Sequence, residues 1–231
     1  MNISVVIPTF NEEKLLGRCL ESLQKQTEKP FEIIVVDNNS TDKTAAIAKK
    51  MGAKVISEKQ QGISFARNAG FNAAKGDIIA RLDADTSALP NWIERIKKDI
   101  EIDGKDAVFG PAYYFNLPAK LQFSHLPSVY FFELIKAILK KNMLFGLNMA
   151  LKKTLWEEVK SELCMDNKVV HEDFDLAIHL WKYGKIDFDK DLRVKTSPRR
   201  WKSVRSDIEY TQRLFKMLKS HGIINLPTIN L

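Results

Sequence analysis

Four short β-branched runs, ISVVIP (3–8), EIIVVD (32–37), KVIS (54–57) and DIIARL (77–82), recur along the first half of the chain with helical periodicity between them. Nothing else in the sequence constrains the fold as much. Runs of this length suit strands buried on both faces. Strand and helix in alternation require right-handed crossovers, and hence a mostly parallel sheet covered by helices on both faces. The expected class is α/β and Rossmann-like.

The helical segments carry their own punctuation. Asn11 suits the N-cap of a helix whose apolar residues Leu15, Leu16, Cys19, Leu20 and Leu23 form one stripe, and Gly52 and Gly76 suit the ends of the next two. Pro90 fits the first turn of a fourth, with Trp92, Ile93, Ile96 and Ile100 facing inward. From about residue 106 the pattern changes to short apolar pieces, loops and two stronger helices. No Pro/Gly/Ser-rich linker, repeat or low-complexity tract intervenes, so residues 1–231 read as one domain, a strand-rich half (1–110) followed by a smaller lobe (111–231). At 45% hydrophobic, 231 residues suffice for a substantial core.

The net charge of +7 is unevenly placed: residues 190–231 hold ten Lys or Arg against three Asp or Glu, and residues 1–189 are neutral overall. Such a basic end suits anionic lipid, nucleic acid or a phosphate-bearing substrate, or is simply a solvated face. Cys19 and Cys164 show neither metal nor redox spacing, which points to a reduced, cytoplasmic chain. The N-terminus has neither the basic leader nor the cleavage site of a signal peptide, and no apolar stretch reaches the roughly 18 residues needed to span a bilayer. The expectation is a soluble protein or one peripheral to the cytoplasmic face of a membrane.

In open sheets of this type ligands sit beyond the carboxyl ends of strands. Four strand ends should converge there, bringing Pro8, Thr9, Asn11 and Glu12 from the first, Asp37 to Asp42 from the second, and Asp83 and Asp85 from the fourth. Both GxGxxG and the P-loop signature are missing, so a phosphate ligand needs another counter-charge. Asp83 and Asp85, one residue apart in an extended chain, would point the same way and repel, which calls for a positive group between them. Mg2+ or Mn2+ held by the paired carboxylates would supply it. Ser40 and Thr41 suit an N-cap.

A second acidic cluster opens "HEDFDLAIHLWKYGKI" (171–186), where Phe174, Ala177, Ile178 and Trp181 predict a helix from about Glu172 to Gly184. Glu172, Asp173 and Asp175 in its first turn are either ordinary complements to the helix dipole or include a positioned general base. His171 and His179 suit local hydrogen bonding better than metal ligation.

Taken together, "VVIPTFNEE", "VVDNNSTDKT", "GISFARNAGFNAAKGDIIARLDADT", "FGLNMALKK" and "EDFDLAIHLWKYGKI" resemble, in order and spacing, the family 2 glycosyltransferases of the GT-A fold, over roughly residues 2–200. The resemblance implies inverting transfer from a nucleotide-diphosphate sugar, with Mn2+ or Mg2+ as cofactor. It makes 1–110 the nucleotide-sugar half and 111–231 the acceptor-side half. It implies that Pro8, Thr9, Asn11, Glu12, Asp37, Asn39, Arg67 and Asp83 contact the donor, that Asp83 and Asp85 serve the metal, and that Asp173 is the catalytic base. Asn148 and Glu172 would lie on the acceptor side.

"TSPRRW" (196–201) resembles the Gln-x-x-Arg-Trp motif of processive members without its glutamine, which argues for a non-processive enzyme. Arg199 and Arg200 have the guanidinium forks for bidentate contact with a diphosphate, or form an ordinary basic strand end. "LPSVYFFELIKAILKKNMLF" (126–145) reads either as core packing or as an interfacial helix whose Lys136, Lys140 and Lys141 favour anionic headgroups. The second reading implies peripheral membrane contact and a lipid-linked acceptor rather than a soluble glycan or small molecule. Two alternatives stand beside the enzyme: a nucleotide-sugar-binding scaffold without turnover, and a basic nucleic-acid-binding protein. The latter lacks any recognisable motif and leaves the acidic rim unexplained, so no nucleic-acid partner is expected.

Overall fold

The structure, a computed structural model, describes residues 1–115, 126–166, 168–200 and 204–223, with the backbone alone at 126–127, 200 and 204–210. In chain order its elements begin β1 (Ile3–Thr9), α1 (Leu16–Gln24), β2 (Glu32–Asp37), α2 (Thr44–Lys50), β3 (Lys54–Ser57), α3 (Ile63–Ala73), β4 (Ile78–Leu82) and β5 (Thr86–Ala88). Next come α4 (Trp92–Lys97), running on into a π-helical turn (Lys98–Ile102), β6 (Ala107–Phe109) and β7 (Ala112–Tyr114). Then follow α5 (Leu126–Leu139), β8 (Asn148–Lys152), α6 (Lys153–Val159), α7 (Glu172–Leu180), β9 (Ile186–Phe188), β10 (Val194–Thr196), a 3-10 turn (Pro198–Arg200) and α8 (Val204–Ser220).

The main sheet has the order β3-β2-β1-β4-β8-β6-β9 among the described residues. Strand β1 pairs in parallel with β2 and β4, and β2 with β3. Among the described strands of this sheet only β8 runs against its neighbours, β4 and β6, while β6 and β9 are parallel. The class is the α/β, mostly parallel arrangement expected from the sequence. Because β6, β8 and β9 extend the same sheet, both halves of the chain share one framework.

The order explains where a ligand can bind. From β1 the chain steps outward to β2 and β3, then returns to place β4 on the other side of β1. Strand order therefore reverses at β1, and a crevice opens at the carboxyl ends of β1 and β4.

Alternation along the strands divides the core. Val5, Ile7, Val35 and Ala80 face Leu16, Leu20, Trp92 and Ile96, whereas Val6, Ile34, Val36 and Ile79 face Phe71, Trp156 and Phe174. Helix α3 lies so close to the sheet that a Cβ on Gly70 would come within 2.3 Å of Val6 Cγ1. A smaller sheet, β5-β10-β7, carries the chain to the 3-10 turn at Arg199, with Thr86 and Thr196 hydroxyls bonded at 3.0 Å across it.

Some local expectations need correction. Asn11 caps no helix: α1 begins at Leu16, and Asn11 adopts the left-handed conformation (φ 54°) with its Oδ1 accepting from Thr41 N at 2.9 Å. The start of α2 is served by Asp42, whose Oδ1 accepts from Thr44 N, rather than by Ser40 or Thr41. Gly52 follows α2 in the left-handed region (φ 82°), whereas α3 ends at Ala73 and Gly76 instead admits close approach to the Asn2 carbonyl.

Candidate active site

A cleft of about 310 Å3 opens at the predicted rim. Pro8, Thr9, Phe10 and Glu12 line it from β1; Asn38 from β2; Gln61, Gly62, Ile63 and Ala66 from the start of α3; Asp83, Ala84 and Asp85 from β4; and Arg199 from the 3-10 turn. Thr9 Oγ1 donates to Val36 O at 2.9 Å, which fastens the ends of β1 and β2 together. Asn38 fixes the opposite wall: its Nδ2 donates to Glu58 O and Gln60 O at 2.9 and 2.7 Å, and its Oδ1 accepts from Gly62 N at 2.7 Å.

The carboxylate pair differs from its expected geometry. Strand β4 ends at Leu82, and residues 83–86 form a turn closed by Thr86 N donating to Asp83 O at 3.0 Å. The two side chains therefore do not share the alternation of one extended strand, although both line the cleft. Each has its own positive partner. Arg81 Nη2 lies 3.1 Å from Asp83 Oδ1, and Arg199 Nε lies 2.9 Å from Asp85 Oδ2. Arg199 also grips Glu12 with its terminal nitrogens. Its hydrogen bond to Glu12 raises the guanidinium pKa, and the Asp85 charge adds to this against partial burial.

Below the cleft lies a buried charge network. Glu172, at the first turn of α7, receives Arg67 Nη1 at 2.9 Å and Arg81 Nη1 at 2.5 Å, and its backbone carbonyl accepts from Arg67 Nη1 at 2.7 Å. Burial lowers the Arg67 pKa in spite of Glu172. Burial acts on Arg81 in the same sense, but Glu172 and Asp83 outweigh it and drive that pKa upward. One residue on, Asp173 Oδ2 accepts from Gly146 N at 2.9 Å. A Cβ on Gly146 would stand 3.1 Å from the Arg81 guanidinium, and the Asp173 charge helps to raise the Arg81 pKa, so Asp173 lies near the arginine that touches Asp83.

Pro8, Thr9, Glu12, Asp83, Asp85 and Arg199 are thus brought together in the cleft. Asp37 and Asn39 flank Asn38, where Asp37 Oδ1 accepts from Ser40 N at 3.3 Å and Asn39 Nδ2 donates to Lys59 O at 2.7 Å; Asn11 stands in the adjoining loop. Three other expected residues are placed in the interior. Arg67 is fully buried and bound to Glu172. Glu172 is a buried clamp between arginines. Asn148 is fully buried, its Oδ1 accepting from Trp92 Nε1 at 2.8 Å and its Nδ2 donating to Leu192 O at 2.6 Å. The side chain of Arg200 and all of Trp201 lie outside the described residues.

Sequence reasoning passed over Arg81, and it placed Asn38 on the rim without a role. The sign of Arg81 was visible: a charge inside an otherwise apolar buried strand demands a paired partner. Nothing local marked the role of Asn38, which depends on a loop about twenty residues further on.

Known proteins resemble this chain in sequence and in fold. Residues 4–154 match Glycosyl transferase family 2. The glycosyltransferase AglE of Haloferax volcanii is 30% identical over 68% of this chain and 54% of its own length. A cholesterol galactosyltransferase of Borreliella burgdorferi is 27% identical over 96% of this chain and 69% of its own. Among solved structures, the mannosyltransferase PcManGT from Pyrobaculum calidifontis, in complex with GDP-Man and Mn2+, shares the fold with a TM-score of 0.77 at 19% identity, over 98% of this chain and 66% of that one. The chain spans about half the length of AglE.

Proposed function

The chain belongs to glycosyl transferase family 2, and on that premise we propose that it transfers a sugar, with inversion, from a nucleotide-diphosphate sugar to a hydroxyl or phosphate acceptor. The observation that carries this reading is the joining of two acidic groups through one arginine: Asp83 at the cleft and the Glu172–Asp173 turn both meet Arg81. Leaving-group and acceptor chemistry need such groups on opposite sides of one sugar.

A divalent cation fits the donor set. Glu12, Asp83 and Asp85 offer oxygen ligands alone, the preference of Mg2+ and Mn2+, and an arginine cation already stands at Asp85. Asp83 and Asp85 would hold it; when bound, it supplies positive charge where negative charge gathers on the departing diphosphate. The Mn2+ recorded with PcManGT supports that assignment.

The protein's own groups do the remainder. Asp173 takes the acceptor proton, and Gly146 N–H on its second oxygen fixes the orientation of the carboxylate. Thr9 and Asn38 hold the walls against which the nucleotide packs. Arg199 leaves Glu12 and Asp85 for the diphosphate, where its fork suits paired phosphate oxygens.

The acceptor we infer is lipid-borne. Helix α5 buries Phe132 and Ile135 in the core, yet Tyr130, Leu134 and Ile138, spaced one helical turn apart, are 68%, 61% and 64% exposed. Lys136, Lys140 and Lys141 beside them are also exposed. An apolar stripe edged with lysine suits a surface of anionic headgroups. Among the described residues no helix is long and apolar enough to cross a membrane.

The test is release of nucleotide from UDP- and GDP-sugars with Mn2+, Mg2+ or EDTA, with and without polyprenyl phosphate in anionic vesicles. Metal-dependent release, stimulated by the lipid acceptor, is expected. Metal-dependent binding with no release under any acceptor would identify a scaffold; stimulation by soluble glycans alone would overturn the lipid assignment.

A further inference from the structure

Asp175, His179 and His221 meet at a point unrelated to the cleft. Asp173 and Asp175 are two residues apart on α7 and so diverge by about 200° around its axis. Asp175 is fully buried, and among the described residues its Oδ1 has no hydrogen-bond donor in proper geometry. Two imidazole nitrogens nevertheless face it: His221 Nε2 at 3.1 Å and His179 Nε2 at 3.8 Å. The three atoms lie within 4.8 Å of one another.

The opposite sides of these residues decide what those nitrogens carry. His221 Nδ1 is 2.9 Å from the carbonyl of Met217, and a carbonyl only accepts. His179 Nδ1 is 3.0 Å from Glu162 Oε2. Glu162 also receives Lys182 Nζ and the Tyr183 hydroxyl, so its carboxylate too accepts. Each neutral imidazole therefore bears its proton on Nδ1 and presents a lone pair from Nε2. Asp175 Oδ2 is occupied by Cys164 N at 3.0 Å, leaving Oδ1 directed at the same spot. In that form two lone pairs and a carboxylate oxygen face one another, an arrangement that a cation between them relieves.

We propose that Asp175, His179 and His221 form a Zn2+ site that fastens the end of α8 to α7. Zinc bound at about 2.0–2.2 Å by nitrogen and oxygen sets tetrahedral ligand separations of about 3.3–3.6 Å, and the two histidine–aspartate separations bracket that range. Imidazole-rich sets favour zinc over Mg2+ or Mn2+, which prefer oxygen alone. The ring protons held by Glu162 and by a backbone carbonyl are the orienting contacts that ligating histidines make. A fourth position remains for water, since His179 and His221 keep part of their side chains exposed. The metal's effect on the enzyme is mechanical: it steadies α7, whose first turn carries Glu172 and Asp173.

The experiment uses the full chain stripped with EDTA, dialysed and titrated with ZnCl2 alone. One zinc per chain should bind with an affinity unchanged in Asp85→Asn, and the melting temperature should rise on the order of 5–10 °C at a hundredfold excess over Kd. His221→Ala and His179→Ala should each weaken zinc on the order of a hundredfold. Co2+ should give the strong visible absorption of a tetrahedral ion in the parent and lose it in His221→Ala, whichever variants are less stable. No stoichiometric zinc, zinc lost in Asp85→Asn but retained in His221→Ala, or a weak octahedral cobalt spectrum would each overturn the site.

Discussion

Arg81 and Glu172 meet at 2.5 Å beneath the cleft, with side chains 2% and 8% exposed. Glu172 serves Arg67 as well, so one carboxylate neutralises two guanidiniums shut away from water. Removing it leaves Arg67 buried without a carboxylate partner and Arg81 with Asp83 alone. Glu172→Ala is expected to cost about 3–5 kcal/mol of stability, read from urea unfolding. If Glu172 instead contacted the acceptor alone, stability would hold and only the acceptor KM would rise.

Asp173 is held from the side by Gly146 N–H, an interaction that an asparagine oxygen can also accept. Asp173→Asn should therefore keep the local geometry and donor binding, measured by calorimetry, while transfer falls about 10²- to 10⁴-fold for want of a base. Full transfer by this variant would remove Asp173 from the mechanism.

Arg199 bridges Glu12 and Asp85 in the donor-free protein. A metal at Asp85 has to compete with that charge. Arg199→Ala should bind Mn2+ alone roughly tenfold more tightly, as expected for removal of one nearby cation, yet show a raised KM for the nucleotide sugar. Manganese paramagnetic resonance gives the first quantity and initial rates the second. Unchanged Mn2+ affinity would mean that Arg199 does not compete.

What the sequence revealed depended on the range of the interaction. β2 and β3 begin and end where their β-branched runs do, and Trp92, Ile93, Ile96 and Ile100 are all buried, because alternation and helical stripes are local signals. The cleft's position followed from strand topology, and Asp83 and Asp85 do line it. The residues whose burial was not legible were those whose partners lie far along the chain. Arg67 meets Glu172 across 105 positions, and Asn148 meets Trp92 across 56. A polar side chain satisfied inside the core and one facing a ligand look alike until the fold places their partners.

Asp99, on the π-helical turn away from the cleft, gives a pH signature independent of catalysis. Its carboxyl is fully buried, and burial, reinforced by Asp189 and opposed by Lys105, lifts its pKa from 3.8 to about 6. Asp189 is buried as well, but Arg95 holds its pKa below the ordinary value. Asp99 Oδ2 finds no donor among the described residues, and a proton there turns it into a donor to Asp189. The folded chain thus keeps a proton that the unfolded chain releases. Between pH 3.8 and about 6 it binds more protons than the unfolded chain, so this group's contribution to stability falls as pH rises and levels off above about 6. Other carboxylates, Asp106 among them, have lowered pKa values and act in the opposite direction. The informative quantity is therefore the difference in melting temperature between the parent and Asp99→Asn, which cannot ionise. The parent's advantage should shrink across that window and stay constant above it; parallel curves would show that Asp99 is ionised throughout.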